Sequence, residues 1–186
     1  MRITGGTARG ILLVAPKGAT LRPTSDKVRN AIFQLVGPLV EEARVLDLYA
    51  GTGALGIEAL SRGAASAEFV EQDARLCQAI RLNLERAGFT KSGRVHRAKA
   101  ETAVGFLEGP FRLVLLDPPY ALEGVSEVVA KLNRPGLLQP EALVVWEHST
   151  RDAVQERYGK LELQTQRKYG DTGVSLFVLP PVEGEG

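Results

Sequence analysis

The sequence predicts an α/β fold, with a mostly parallel seven-stranded sheet that ends in an antiparallel hairpin. Apolar strand-like runs alternate with helix-like stretches between residues 45 and 146, which is typical of a parallel sheet with crossover helices. The last two strand-like runs, near 160–168 and 173–179, are joined by the short turn Y-G-D-T-G. A short turn that contains glycine favours an antiparallel pair. At 186 residues, the chain can bury a large core within one domain.

The first 37 residues precede this body and carry a different pattern. Residues 2–14 form two short strand-like pieces around a Gly-Gly turn, which predicts a small β-hairpin. A loop at 17–23 follows, and Thr24 or Ser25 can cap a helix that runs to Val36. We therefore divide the chain into a basic amino-terminal extension (1–37), the α/β body (38–182) and a loose tail (183–186).

Apolar periodicity and turn residues place the elements of the body. Strands are predicted at 45–49, 67–70, 93–97, 113–117 and 143–146, before the final hairpin. Helices are predicted at 54–62, 74–87, 101–108, 124–133 and 151–157. The loops after the parallel strands should meet at the carboxyl edge of the sheet, where open α/β sheets bind ligands.

A glycine-rich turn follows the first strand of the body. Residues 45–58 read V-L-D-L-Y-A-G-T-G-A-L-G-I-E, with Gly51, Gly53 and Gly56 at G-x-G-x-x-G spacing. Such a turn lets the backbone approach a ligand and directs helix N–H groups at it. NAD-dependent dehydrogenases share the spacing, and a plain strand–helix turn is a further alternative. Asp47 lies in the buried strand, so we expect it to orient the turn or to hold a ligand's ammonium group through water.

A second motif ends the strand at 113–117. Residues 113–120 read L-V-L-L-D-P-P-Y. Each proline fixes φ at about −65° and removes an N–H donor, so Asp117 and Tyr120 are held at the carboxyl edge of the sheet. Together, the two motifs predict a ligand pocket with a reactive group beside it.

Charge and composition narrow the partners and the compartment. The net charge is +1, but residues 1–35 hold six Lys and Arg residues against Asp26 alone, which makes this segment +5. That asymmetry indicates an anionic partner, with a solvated basic face as the alternative. One cysteine, no apolar run of about 18 residues and no signal-peptide core predict a cytoplasmic protein. His96 and His148 stand alone, so we expect no metal site.

The glycine turn and D-P-P-Y together resemble the amino-methyltransferases that use S-adenosylmethionine, whose hallmark is D/N-P-P-Y/F/W after the fourth strand. The resemblance implies a Rossmann-like class I methyltransferase fold and argues against a nicotinamide cofactor. Glu71 would accept hydrogen bonds from the ribose hydroxyls, unless it is only a surface residue at a strand end. The implied cofactor-binding residues are Asp47, Tyr49, Ala50, Gly51, Gly53, Gly56, Glu71, Gln72, Ala100 and Glu101.

The same resemblance implies that Asp117, Pro118 and Tyr120 are catalytic. The lone pair of an exocyclic base amine is delocalised into the ring. The Asp117 carboxylate and the Pro118 carbonyl can accept from both N–H groups, which would free the lone pair and aim it at the methyl group. Tyr120 would stack on an unstacked base, a contact worth about 1–3 kcal/mol.

Longer segments narrow the resemblance to the bacterial RsmD family. They are R-I-T-G-G-T-A-R-G, L-R-P-T-S-D-K-V-R-N-A-I-F, L-D-L-Y-A-G-T-G-A-L-G-I-E-A-L-S-R-G-A and K-Y-G-D-T. This family methylates the N2 amine of one guanine in 16S rRNA. We therefore expect a monomer that acts on 16S rRNA in the small ribosomal subunit or an assembly intermediate, without membrane or metal. The implied RNA-binding residues are Arg2, Arg9, Arg22, Thr24 and Arg29, with Arg22-Pro23-Thr24 near the pocket mouth.

One departure concerns the adenine end of the cofactor. Relatives often carry Asp or Asn after the third strand, whereas this chain has Ala98-Lys99-Ala100. A lysine cannot accept a hydrogen bond. Adenine would then be held by backbone groups or by Glu101.

The sequence is also compatible with two other functions. D-P-P-Y also serves DNA adenine and cytosine amino-methyltransferases, although we see no added target-recognition domain. The other alternative is a non-catalytic RNA-binding or ribosome-assembly factor on the same fold. Gly51, Gly53, Glu71, Asp117 and Tyr120 argue against it, because a site without chemistry has no physical need for them.

Overall fold

The computed structural model describes residues 1–19, 21–22 and 24–184, which form one eight-stranded sheet and five α-helices. The strands are β1 Arg44–Leu48, β2 Ser66–Glu71, β3 Gly93–Arg97, β4 Phe111–Leu116, β5 Leu138–Ser149, β6 Arg157–Tyr158, β7 Leu161–Tyr169 and β8 Thr172–Val178. The helices are α1 Asp26–Val36, α2 Ala54–Ser61, α3 Ala74–Ala87, α4 Ala100–Phe106 and α5 Val125–Lys131, with a 3₁₀ turn at Gly37–Val40. Thr20 and Pro23 of the predicted loop, and Glu185 and Gly186 of the predicted tail, lie outside the described residues.

The strand order is β3-β2-β1-β4-β5-β8-β7-β6. The first five strands in this order are parallel neighbours, β8 pairs antiparallel with β5, and β7 pairs antiparallel with β8. The predicted mostly parallel sheet with a carboxyl-terminal antiparallel hairpin is therefore confirmed. The order reverses between β1 and β4, which places the ligand crevice of such folds at the carboxyl ends of these two strands.

Helices cover both faces of the sheet. Helices α1, α2 and α3 pack on one face through residues such as Ile32, Leu55 and Ile80. Helices α4 and α5 pack on the other face through residues such as Val104 and Val128. Because both faces are buried, the parallel strands read as continuous apolar runs, and a charged residue within them stands out.

The amino-terminal extension shares the core of the body. Ile3, Ala8 and Leu13 are buried in the same hydrophobic cluster as α1 and α2. The predicted hairpin is reduced to an isolated antiparallel bridge between Arg2 and Leu12. Since apolar contacts join the extension to the body, the basic side chains on its exposed side are carried by a packed segment.

The predicted helix at 151–157 is wrong. This segment leads instead into the short strand β6, in which Tyr158 pairs with Leu161 of β7. Tyr158 is buried, and its ring packs edge-on against Trp146 and Phe177. Anchoring this ring in the core requires an extended chain, so the sheet gains an eighth strand.

The described residues contain neither a membrane-spanning helix nor a metal-binding cluster. No helix there is long and apolar enough to cross a membrane. No group of three His, Cys, Asp or Glu side chains there is placed to hold a metal ion.

Candidate active site

A cavity of about 1080 Å³ opens at the carboxyl edge of the parallel strands. Most of the predicted cofactor-binding and catalytic residues line it, namely Asp47, Tyr49, Ala50, Gly51, Glu71, Gln72, Ala100, Glu101, Asp117, Pro118 and Tyr120. Gly53 and Gly56 are not among its lining residues. Of the residues expected to bind RNA, Arg22 and Thr24 line the cavity, whereas Arg2, Arg9 and Arg29 do not.

The glycine turn adopts the backbone that its sequence predicts. Gly51 and Gly53 have φ of +59° and +82°, in the left-handed region that glycine enters without steric cost. Gly56 has a different purpose, because a Cβ there would lie 2.4 Å from Cε1 of Phe69. It allows α2 to pack closely on β2. Tyr49 also has a positive φ, +58°, which is strained for a residue with a side chain.

Asp47 fixes the start of α2. Its Oδ2 accepts the backbone N–H of Gly56 at 2.9 Å, and its side chain is almost completely buried. Burial raises the pKa of Asp47 well above its ordinary value, although the Gly56 hydrogen bond opposes the shift. This is the geometry expected of a residue that orients the turn.

Glu71 connects the glycine turn to the start of α3. Its Oε2 accepts the Gly51 N–H at 2.9 Å, and its Oε1 accepts the Asp73 N–H at 3.1 Å. Asp73 in turn caps α3. Each carboxylate oxygen has a further lone pair, so Glu71 can still accept from a ligand hydroxyl, and its role at the ribose stays a prediction.

Two carboxyl groups meet at Thr24 on the far side of the cavity. Its Oγ1 lies 2.6 Å from Oδ2 of Asp117 and 2.9 Å from Oε2 of Glu147. Burial raises the pKa of Asp117 to about 6, against the Thr24 hydrogen bond and the Arg22 charge. Burial, and then the charge of Asp117, raises the pKa of Glu147 to about 8.

Tyr120 is held by side chains from two other segments. The Arg22 guanidinium carbon lies 3.6 Å from the centroid of the tyrosine ring, which is a cation–π contact. The Tyr120 hydroxyl lies 2.9 Å from Oγ1 of Thr172, which also accepts from Arg22 Nη2 at 3.1 Å. The start of β8 therefore supports the side of the cavity that Tyr120 forms.

Comparison with known proteins assigns this site to a family. The family model described as "Conserved hypothetical protein 95" matches residues 1–178. Ribosomal RNA small subunit methyltransferase D of Escherichia coli (strain K12) is 34% identical over 179 residues, which cover 95% of this chain and 89% of that protein. The chain belongs to the RsmD family. The resemblance found in the sequence is confirmed.

Solved structures agree with the RsmD assignment. The Escherichia coli protein yhhF matches with a TM-score of 0.87 at 32% identity, covering 97% of this chain and 98% of that chain. An RNA methyltransferase from Salinibacter ruber, solved in complex with S-adenosyl-L-homocysteine, matches with a TM-score of 0.67 at 20% identity, covering 89% and 98%. The second likeness concerns the fold alone. The class I methyltransferase fold predicted from the sequence is confirmed.

Arg29 and Thr24 of this RsmD-family chain are both buried. Arg29 is 1% exposed, and its guanidinium is paired with Asp26 at 2.7 Å and with Glu58 at 3.5 Å. A buried, paired cation cannot reach a phosphate, so the prediction for Arg29 is wrong. Thr24 is also buried, and its hydroxyl is bonded to two carboxyl groups, so it belongs to the polar interior of the cavity.

The other three arginines are exposed. Arg2 Nη1 donates to the Gly10 carbonyl at 2.9 Å, Arg9 lies in the turn that follows the Gly-Gly pair, and Arg22 lines the cavity. Their contacts with RNA stay predictions.

The start of α4 lies at the cavity, where the sequence predicts the contacts with the adenine of the cofactor. Lys99 is the N-cap residue but makes no capping hydrogen bond with its side chain. Lys99, Ala100 and Glu101 all line the cavity. Ala100 and Glu101 therefore stay the predicted contacts.

Sequence reasoning missed Glu147 and Asn83. Glu147 interrupts the apolar run V-V-W-E-H of β5, as Asp47 interrupts β1, and the same signal could have found it. Asn83 lies on the apolar face of α3 and is fully buried. It exchanges hydrogen bonds of 2.8 and 3.0 Å with the backbone of Val14 and donates to the Thr52 carbonyl at 3.0 Å. Asn83 therefore ties the amino-terminal extension to the glycine turn.

Proposed function

We propose that this protein transfers a methyl group from S-adenosylmethionine to the exocyclic N2 amine of a guanine in 16S rRNA of the small ribosomal subunit. The observation that carries the proposal is that the glycine turn, Glu71 and the D-P-P-Y segment line one cavity. Membership of the RsmD family supports the substrate, since the Escherichia coli relative is named for the RNA of the small subunit.

The cavity suits S-adenosylmethionine, which supplies an electrophilic methyl group on its sulfonium. Pockets for small ligands hold about 300–1,000 Å³, and this cavity of about 1080 Å³ has room for a cofactor and a base together. The backbone of Tyr49, Ala50 and Gly51 would hold the amino-acid end. Glu71 would accept from the ribose hydroxyls, and the start of α4 would contact the adenine.

Asp117 and Pro118 would hold the target amine. An ionised carboxyl group offers both of its oxygens as acceptors, whereas a protonated one turns one oxygen into a donor. A pKa of about 6 leaves Asp117 mostly ionised at neutral pH. The Pro118 carbonyl would accept the second N–H. Gripping both N–H groups directs the nitrogen lone pair at the methyl group and fixes the distance between them. Tyr120 would stack on the base and prevent it from rotating.

The amino-terminal extension would carry the phosphate contacts. Arg2, Arg9 and Arg22 are exposed on a segment that is packed against the body. Phosphate contacts position a protein on RNA without reading its sequence, so we expect the shape of the small subunit, or of an assembly intermediate, to supply much of the specificity. We expect a monomer to be sufficient.

The experiment measures methyl transfer from radiolabelled S-adenosylmethionine to small subunits, naked 16S rRNA and duplex DNA in parallel, followed by nucleoside analysis. We expect N2-methylguanosine on small subunits or assembly intermediates. Label on duplex DNA would instead support a DNA amino-methyltransferase. If cofactor binding is measurable but no substrate is labelled, the non-catalytic factor becomes the better hypothesis.

An Asp117→Ala variant tests the assigned chemistry. We expect its turnover to fall by at least about 100-fold, the loss typical of removing one preorganised polar group from an active site, while cofactor binding survives. Glu108→Ala is the matched control, because Glu108 is an exposed carboxylate just before the opposite end of the same strand. Equal activity of the two variants would contradict the role of Asp117.

A further inference from the structure

The hydroxyl of Thr24 lies between two carboxyl groups that it cannot satisfy alone. A threonine hydroxyl carries one proton, and an ionised carboxylate can only accept. Both O···O distances, 2.6 Å to Asp117 and 2.9 Å to Glu147, are hydrogen-bond distances. Two ionised carboxylates would leave one of these contacts without a proton. The geometry therefore requires that one carboxyl group is protonated and donates to Thr24.

The strand register brings the two carboxyl groups together. Leu116 of β4 pairs with Trp146 of β5 in parallel, so the residues that follow them, Asp117 and Glu147, are neighbours on the same face of the sheet. This is the face on which α1 packs, and the chain that enters α1 delivers Thr24 between them.

Burial decides which carboxyl group holds the proton. Both groups line the cavity, but Glu147 is only 5% exposed, whereas Asp117 is half-buried. Charges from three other segments face this pair: Arg22 before α1, Arg29 in α1 and Asp47 in β1. The two arginines favour ionised carboxyl groups, but Arg29 is already paired with Asp26 and Glu58. The more exposed Asp117 is therefore the ionised group, and Glu147 is the group that keeps its proton.

We propose that Glu147 is a positioning residue that stays protonated and donates to Thr24, so that the Thr24 hydroxyl donates to Asp117 and holds its carboxylate ionised and oriented for the base amine. This inference rests on the proposed function for the identity of the amine. The arrangement commits Oδ2 of Asp117 to the protein and leaves Oδ1 as the acceptor for a ligand. In this arrangement Glu147 acts on the substrate through Thr24 and Asp117.

The pH profile of methyl transfer separates this role from a merely structural one. In the wild type, the single-turnover rate falls at acid pH as Asp117 gains a proton and at alkaline pH as Glu147 loses its own. Glu147→Gln keeps a donor for Thr24 that cannot ionise. We therefore expect this variant to stay within about threefold of the wild type at neutral pH and to extend the alkaline limb by at least about one pH unit.

Variants at Thr24 test the central residue of the hydrogen bonds that run from Glu147 through Thr24 to Asp117. Thr24→Val keeps the shape but removes the hydroxyl, so we expect a loss of about 10- to 100-fold, equivalent to one hydrogen bond to a charged group. The acid limb should move to higher pH, because Asp117 loses a donor. Thr24→Ser restores the hydroxyl and should restore both rate and profile. Melting temperature and S-adenosylhomocysteine affinity control for folding in every variant.

Three results would overturn the proposal. A tenfold or larger loss (about 1.4 kcal/mol) in Glu147→Gln at neutral pH would show that an ionised glutamate is needed. An alkaline limb that is the same in Glu147→Gln and the wild type would assign that limb to another group. Wild-type activity in Thr24→Val would show that its hydroxyl does not serve Asp117.

The protonation state can also be measured without any substrate. In protein labelled with ¹³C at the carboxyl groups, the Glu147 signal, assigned by its absence from Glu147→Gln, should titrate far above the ordinary glutamate range. Titration within the ordinary range would overturn the proposal even if the enzyme is active. If the wild type labels no RNA but the signal titrates high, the proposed function fails while the protonated Glu147 stands.

Discussion

Gly56 gives the prediction whose magnitude follows most directly from the structure. In a Gly56→Ala variant, the added Cβ would lie 2.4 Å from Cε1 and 2.9 Å from Cζ of Phe69, and 3.1 Å from Oδ2 of Asp47. The Phe69 ring is fully buried, so it cannot swing aside into solvent. Either α2 moves away from β2 or the ring leaves its preferred position.

Overpacking a well-packed core by one methyl group costs about 1–3 kcal/mol. For a domain of 150–250 residues, 1 kcal/mol corresponds to about 2–4 °C in melting temperature. We therefore expect Gly56→Ala to melt roughly 2–12 °C below the wild type. Displacement of α2 should also disturb the hydrogen bond to Asp47, so cofactor affinity should fall with stability.

Gly105→Ala is the matched control. Gly105 lies in α4, it is exposed, and nothing lies within 4 Å of a Cβ placed there. Replacing such a glycine by alanine typically stabilises a protein by about 0.4–1 kcal/mol, so its melting temperature should rise. Thermal unfolding followed by circular dichroism measures both variants. A Gly56→Ala protein that melts with the wild type would refute the packing argument.

The remaining predictions concern three other residues. Asn83→Ala removes the partner of the partly buried Val14 N–H and C=O groups and of the buried Thr52 carbonyl. It should cost about 1–3 kcal/mol, visible as a lower melting temperature; an unchanged value would contradict this. Arg22→Ala should weaken binding to small subunits and reduce the slope of log affinity against log salt by about one, whereas an identical slope would remove Arg22 from the RNA surface. The pKa of Glu147 is raised from 4.5 to about 8, so the native state keeps a proton that the unfolded chain releases, and stability falls as pH rises through this window. As pH rises between these values, the melting temperature of Glu147→Gln should therefore increase relative to that of the wild type. A difference in melting temperature that does not change with pH would count against the raised pKa.

Local signals were sufficient for the parts of the fold that local chemistry determines. Strand β1, the glycine turn and helix α2 were predicted to within one residue. Apolar runs and glycines at fixed spacing determine such elements through contacts between residues that are close in sequence. The final hairpin followed from its turn in the same way. The cavity could be predicted because parallel strands bring their carboxyl ends to one edge.

Contacts between distant segments set the limits of the sequence analysis. Arg29 was counted as a surface cation, but it pairs with Glu58, 29 residues away, and no periodicity within α1 reveals that partner. The helix expected at 151–157 does not form, because Tyr158 packs beside Trp146 in an extended segment. The importance of Glu147 depends on its distance from Thr24, a residue 123 positions earlier.

The guanidinium of Arg22 occupies one face of the Tyr120 ring, and a base that stacks on that face has to displace it. Cation–π contacts are worth about 0.5–2 kcal/mol and base stacking about 1–3 kcal/mol, so the exchange alone yields little. A free nucleobase would therefore compete poorly against the resident arginine. A nucleotide within RNA also offers the released arginine a phosphate. If the target base stacks on Tyr120 as proposed, this competition would discriminate against small metabolites that carry the same amine, without a steric barrier.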